Sequence, residues 1–484
     1  MLFYSLDFIL FFIPFFFLYW YIFNKQINIQ NLLILAGSYV FIGWWDWRFL
    51  SLLIGSSIVN YFLGIAIAGT ENEKRQRLFL NLGLLQGLGF LLFFKYFNFF
   101  IESFVTVFTK FNVNLNLHTL NLILPLGISF YTFRAISYLL DVESGKTKPV
   151  KNWVVFFNYL SFFPSFLSGP IDKARDFIPQ LEKKRIFDDS QLSEGLRQIL
   201  WGLFKKIVIA DTVGTITKII FEGHEVLHAS TLLLGAFLYA IEIYADFSGY
   251  SDMAIGISRL IGFRISNNFN YPFFAQNIAE FWQRWHISLT AWMTEYVFTP
   301  LSFVFRKYGK TGTILAIIIN FVIVGLWHGA NWTFIVYGFL HGCYFIPLII
   351  SGTVNKKKQI TNDRLLPTFT EFMKMAGTFT LVVLTLILFK SDSIADAYNY
   401  YSKLFSSSLF SFPSSPVKTS KLLFTLFFIS IMFVIEWLGR GSSFAIANFG
   451  LKWYRSVRWT MYAIFLFAVL YFAGKEQQFI YFQF

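Results

Sequence analysis

Apolar runs almost free of charge recur from one end of this chain to the other, and nothing else limits its possible folds as strongly. The first, residues 2–23, holds a single acidic side chain, Asp7, and no basic one. A bilayer span needs about 20 mostly apolar residues. Further candidates lie at residues 32–45, 49–68, 78–94, 122–140, 153–167, 199–221, 231–247, 313–327, 332–351, 375–388, 422–438 and 459–472. Hydrophobic residues make up 56% of the chain and charged ones 14%, where a soluble domain is about 25% charged. So few polar side chains could not cover a soluble surface. The pattern predicts an all-α, polytopic integral membrane protein with about 11 crossings. Residues 32–45 and 49–68 read as a hairpin turning at residues 46–48. The stretch 153–167 carries Asn158, Ser161 and Pro164 and reads as a re-entrant segment. The first run has neither a basic leader nor a small-residue cleavage site, so it reads as a retained span.

Lys and Arg number 40 against 27 Asp and Glu, a net charge of +13. In a soluble protein that excess would suggest nucleic acid; here it reads as the positive-inside signal, with no nucleic-acid partner. The basic residues cluster as Lys74, Arg75 and Arg77; Lys146, Lys148 and Lys151; Lys173, Arg175, Lys183, Lys184 and Arg185. They continue as Arg306, Lys307 and Lys310; Lys356, Lys357, Lys358 and Arg364; and Arg440, Lys452, Arg455 and Arg458. Placing all of them on the cytoplasmic side of the inner membrane puts the N-terminus outside. The single cysteine, Cys343, excludes an internal disulfide and a Cys-based metal cluster. No phosphate-cradling Gly-x-x-x-x-Gly-Lys-Ser/Thr loop, Gly-x-Ser-x-Gly elbow or His-Glu-x-x-His pair occurs. An ATP-driven pump, a serine hydrolase and a metal enzyme are therefore not indicated.

Charge inside a bilayer is costly, so each polar residue within an apolar run needs its own explanation. Arg134 and Asp141 share a helical face, as an internal pair or as functional groups. In Tyr244-Ala245-Asp246-Phe247-Ser248-Gly249-Tyr250-Ser251-Asp252, two carboxylates stand with two serines. Ser248–Asp252 reads as the cap of a helix starting near Met253, or Asp246, Ser248 and Asp252 as the lining of a substrate path. Residues 281–290, with Trp285-His286-Ile287-Ser288, read as a partly buried amphipathic helix. His286, His328 and His341 fall in membrane-buried surroundings, unlike His118, His224 and His228. In Trp327-His328-Gly329-Ala330-Asn331-Trp332, the glycine would let a ligand approach the imidazole, and the two tryptophans would wall a dry pocket. There a neutral imidazole can accept a proton near pH 7.

Seven segments, in order, resemble the membrane-bound O-acyltransferase family, and most nearly its bacterial alginate O-acetyltransferase branch. They are residues 124–133 with 137–141; Phe162-Phe163-Pro164 with Ser168-Gly169-Pro170; 202–211 with Lys205-Lys206; 244–252 with Gly256; 267–272; 281–289; and 325–333 with His341-Gly342. Arg134 and Glu295 stand where Gln and Asp are common in the family, and Thr299-Pro300-Leu301-Ser302 departs from its Pro-Leu-Gly-Gly. The resemblance implies transmembrane, re-entrant and amphipathic helices around a central tunnel. Residues 1–358 would form the acyltransferase core, and 359–484 additional C-terminal transmembrane helices of the same membrane domain. It implies His328 as the catalytic base and His286 as the second site histidine, with no bound cofactor. Ser288 or Asn331 would aid the developing oxyanion, Asp246, Ser248 and Asp252 would orient partners, and Trp327 would wall the site. The donor would be acetyl-CoA or an acyl carrier thioester, and the product an O-acetylated exported polysaccharide. Implied partners are the lipid bilayer, an extracytoplasmic esterase-like acetyltransferase and the glycan synthesis machinery. The alternatives are D-alanyl transfer to teichoic acid, from a sister branch, and a transporter or flippase with no chemistry.

Overall fold

The computed structural model describes residues 1–113, 115, 117–120, 122–354, 364–413, 417–474 and 479. Lys356, Lys357, Lys358 and the expected boundary at residues 358 and 359 lie outside the described residues. Every regular element described is helical. Seven of the helices are long and apolar enough to cross a membrane: Trp47–Ala68, Glu73–Lys110, Ala229–Leu260, Arg306–His328, Trp332–Ile350, Phe369–Lys390 and Thr419–Leu438. Two shorter apolar helices, Leu6–Ile22 and Ile27–Gly43, precede them. The remaining expected spans differ for local reasons. Ile128–Glu143 has only 16 residues. Residues 199–221 are helical throughout but carry Lys205, Lys206 and Asp211. Arg455–Phe472 starts with Arg455 and Arg458.

The chain forms two compact units. The first comprises Met1–Gly195 and Ile257–Ser266. In it the hairpin turns as expected, because the Asp46 carboxylate accepts the Arg48 N–H and caps Trp47–Ala68. Small residues let helices approach: a Cβ at Gly64 or Gly83 would run into Tyr138 or Leu139 of Ile128–Glu143. The stretch 153–167 is indeed broken, as Trp153–Ser161 ends at Phe162 and a single turn, Phe163–Phe166, follows. Arg134 holds this break together. Its guanidinium donates to the Ser165 Oγ at 2.6 Å and to the Tyr159, Ser165 and Pro170 carbonyls. Asp141 instead faces Arg175 at 3.7 Å, so the two residues that share a helical face serve different neighbours. Asp172 accepts the backbone N–H and the hydroxyl of Ser266. Burial pushes its carboxyl above the usual range, and Ser266 pulls it back in part. Arg185, expected among surface charges, is buried against Gln30 and Asn31.

The second unit comprises Leu196–Gly256 and Asn267–Phe484. Its centre is the 32-residue helix Ala229–Leu260, most of whose residues lie in this unit. That helix is continuous through Ser248–Asp252, so the expected cap before Met253 does not form. It crosses the π-helical segment Phe204–Ala210 and the turn before it at two glycines. A Cβ on Gly202 would meet the Gly249 carbonyl, and one on Gly249 would meet the Gly202 carbonyl. The wider π turn carries consecutive lysines to the two sides of this crossing. Lys206 reaches Asp246 at 2.6 Å and Asp211 at 2.8 Å. Lys205 reaches Asp252 at 2.7 Å and the Ser248 hydroxyl at 2.9 Å.

Candidate active site

All three membrane-buried histidines fall in the second unit, on one row of touching rings. His328 is the last residue of Gly309–His328, before Gly329 breaks the helix with extended backbone. Its ring lies 5.0 Å from Trp327, 5.0 Å from Phe389 and 6.2 Å from Tyr337, centre to centre. Trp327 also touches His286, at 5.6 Å. Tyr337 continues the row to His341 at 4.5 Å. The Trp282 indole N–H then donates to the His341 Nδ1 at 3.2 Å. An Nδ1 that accepts leaves the proton of a neutral His341 on Nε2. All three rings are buried: His328 is 5% exposed, His286 and His341 not at all, and both ring nitrogens of His328 are out of contact with solvent.

His286 sits in the break between Ile278–Arg284 and Ile287–Met293, in left-handed backbone with φ 42°. Such a conformation costs a non-glycine residue energy and persists only where neighbours fix it. Those neighbours come from residues 268–270. The Ile287 N–H donates to the Asn268 carbonyl at 2.8 Å, and the Asn270 N–H to the Arg284 carbonyl at 2.9 Å. The Asn268 side chain adds a second tie, accepting from the Ser288 hydroxyl at 2.6 Å and donating to Ser251 at 3.1 Å. Phe247 closes the other side of His286 at 4.6 Å.

The structure brings His286, Trp327 and His328 together and gives the other expected residues different work. On the long helix it is Phe247 that touches His286; Asp246, Ser248 and Asp252 engage Lys206 and Lys205. Ser288 commits its hydroxyl proton to Asn268. Asn331 caps Trp332–Tyr344 and donates to the Asp392 carbonyl. The space beside Gly329 is filled by the Phe334 ring, so the glycine serves packing rather than ligand approach. Trp332 is 53% exposed, not buried in a dry pocket. Sequence reasoning missed Asn268, although it lies in a segment singled out for its order, and missed Tyr337 and Phe389, two aromatic residues among many in apolar runs. Among the described residues, no three His, Cys, Asp or Glu side chains gather as a metal site.

A helical membrane protein with two buried imidazoles at helix breaks, both packed on one tryptophan, has the makings of a proton-transfer catalyst working within the bilayer. The family model of the membrane-bound O-acyltransferases matches residues 150–390. The "Probable alginate O-acetylase AlgI" of Azotobacter vinelandii is 35% identical over 412 residues, 84% of this chain and 78% of that protein. The peptidoglycan O-acetyltransferase of Helicobacter pylori is 31% identical over 419 residues, 81% of this chain and 77% of the other. A teichoic acid D-alanyltransferase of Streptococcus thermophilus is 31% identical over 284 residues, covering 54% of this chain and 68% of its own. The chain belongs to the membrane-bound O-acyltransferase family and is an O-acyltransferase.

One prediction follows from the ties around His286. Asn268→Ala should lower kcat by about 10²-fold, the usual result of misplacing a reacting group by an ångström, with KM unchanged. Steady-state acyl transfer by the purified variant measures both. A changed KM with normal kcat would assign Asn268 to substrate binding instead.

Proposed function

We propose that this chain moves an acetyl group from a cytosolic thioester, acetyl-CoA or an acyl carrier, across the membrane to an acceptor hydroxyl, for the O-acetylation of an exported polysaccharide. In this reading His328 takes the hydroxyl proton as the oxygen attacks the thioester carbonyl. The C–S bond then breaks, and the departing thiolate recovers the proton from His328, so the reaction is neutral overall. His286 steadies the oxyanion on the carbonyl oxygen through a ring N–H. Trp327 holds both rings in place. The observation that carries the reading is the pair of histidines at two helix breaks, His286 and His328, both packed on Trp327. The extent of similarity favours acetyl over D-alanyl, since the acetyl-transferring relatives match over four fifths of the chain and the D-alanyl one over about half.

The rest of the proposal concerns the setting. The protein sits in the cytoplasmic membrane with its N-terminus outside, and a tunnel lets donor and acceptor meet without either crossing whole. Asp246, Ser248 and Asp252 fix the lysines that brace the wall of that passage, while Ser288 and Asn331 hold the two helix breaks. Residues 359–484 belong to the same membrane domain as the core, because Phe389 packs on His328 and Glu436 accepts from the Tyr244 hydroxyl. An extracytoplasmic esterase-like acetyltransferase and the glycan synthesis machinery complete the pathway. The test is thiol release from acetyl-CoA, or from an acetylated carrier protein, by purified protein given a soluble acceptor alcohol. Ester formation matching thiol release is expected. Transport of an intact solute without thioester turnover would replace the reading with the flippase one.

A further inference from the structure

None of the three histidines lines a second feature of this unit, an apolar groove of about 730 Å³ between Phe369–Lys390 and Thr419–Leu438 that also includes Phe273 and Phe274. Its walls include Phe379, Phe433 and Trp437. Two arginines, outside the lining itself, adjoin the groove residues Leu365 and Trp437. Trp437, in the last turn of its helix, donates its indole N–H to the Leu365 carbonyl. Just beyond the helix end, the Arg440 guanidinium lies 4.3 Å over the Trp437 ring and donates to the Trp437 and Arg364 carbonyls. Its Nε is buried and has no hydrogen-bond partner among the described residues. Arg364 stands beside it with an exposed side chain. A tryptophan at a span's end and arginines just outside it mark the headgroup level of a bilayer. Both arginines also fall in the basic loops assigned to the cytoplasmic side, where anionic lipids collect.

We propose that this groove is a binding site for one anionic glycerophospholipid, its phosphate at Arg364 and Arg440 and an acyl chain along Phe433 and Phe379. The volume lies within the range of about 300–1,000 Å³ typical of small-molecule sites. A hydrocarbon chain matches the almost wholly apolar walls. A partner transmembrane helix fits less well: at about 10–12 Å across it needs a broad face, and it brings no negative charge to the two guanidiniums.

Native mass spectrometry of the full-length protein tests this, with phosphatidylglycerol and phosphatidylcholine of identical chains as probes. Phosphatidylglycerol should be retained about ten-fold more strongly. Arg364→Gln with Arg440→Gln should bring it down to the phosphatidylcholine level. Val434→Trp, at a groove-lining residue that is 57% exposed and so tolerant of change, should reduce both. Equal retention of the two lipids by the parent protein would overturn the proposal. So would phosphatidylglycerol binding that survives Val434→Trp in a folded variant, or a photocrosslinker at Phe433 that captures protein rather than lipid.

Discussion

His328→Ala should lower acyl transfer by about 10²–10⁴-fold, the usual contribution of a positioned general base. Removing a ring packed on Trp327, Tyr337 and Phe389 also opens a void, so lost activity could reflect a disturbed wall. His328→Gln separates the two effects. It keeps most of the volume and can donate a hydrogen bond, but it cannot take up a proton near neutral pH. Both variants should therefore fail alike in thiol release and in ester formation, while His328→Gln melts close to the parent. His341→Gln is the comparison. The His341 ring belongs to the same row but is fully buried, so its loss should cost stability more than turnover. Full activity in a folded His328→Gln protein would remove the base from position 328.

The largest effect on stability is expected at Lys206. Its ammonium is 1% exposed and bridges Asp246 and Asp211. Lys206→Met leaves two buried carboxylates facing each other without their counter-ion. Breaking a buried pair from one side costs about 3–5 kcal/mol, because the remaining charge stays out of water. A protein of ordinary marginal stability would lose much of its folded population. Thermal unfolding in detergent, followed by size-exclusion chromatography, measures it. Adding Asp211→Asn and Asp246→Asn to Lys206→Met should recover most of the loss, since no lone charge then remains. If Lys206→Met alone melts like the parent, the bridge contributes nothing to stability.

Much of this architecture could be read from the residues. Charge-free runs fixed helical spans, Asp46 marked a hairpin, and Asn158, Ser161 and Pro164 marked the break that Arg134 stitches. The two Trp-His pairs pointed to rings that do share Trp327. What escaped depends on partners distant in sequence. Ser248 and Asp252 look like a cap until Lys205 arrives from another helix and lets the backbone run on. Gly329 and Trp332 suggested a ligand's way into a dry pocket, but Phe334 fills the first place and the second is half exposed. Asn268 looks like any loop asparagine until it is seen holding the left-handed turn at His286.

The Gly202–Gly249 crossing has a consequence for how such an enzyme can move. Where two backbones touch with no side chain between them, there is nothing to re-pack, and sliding either one would tear lysines from their acids on both flanks. That joint behaves as a weld.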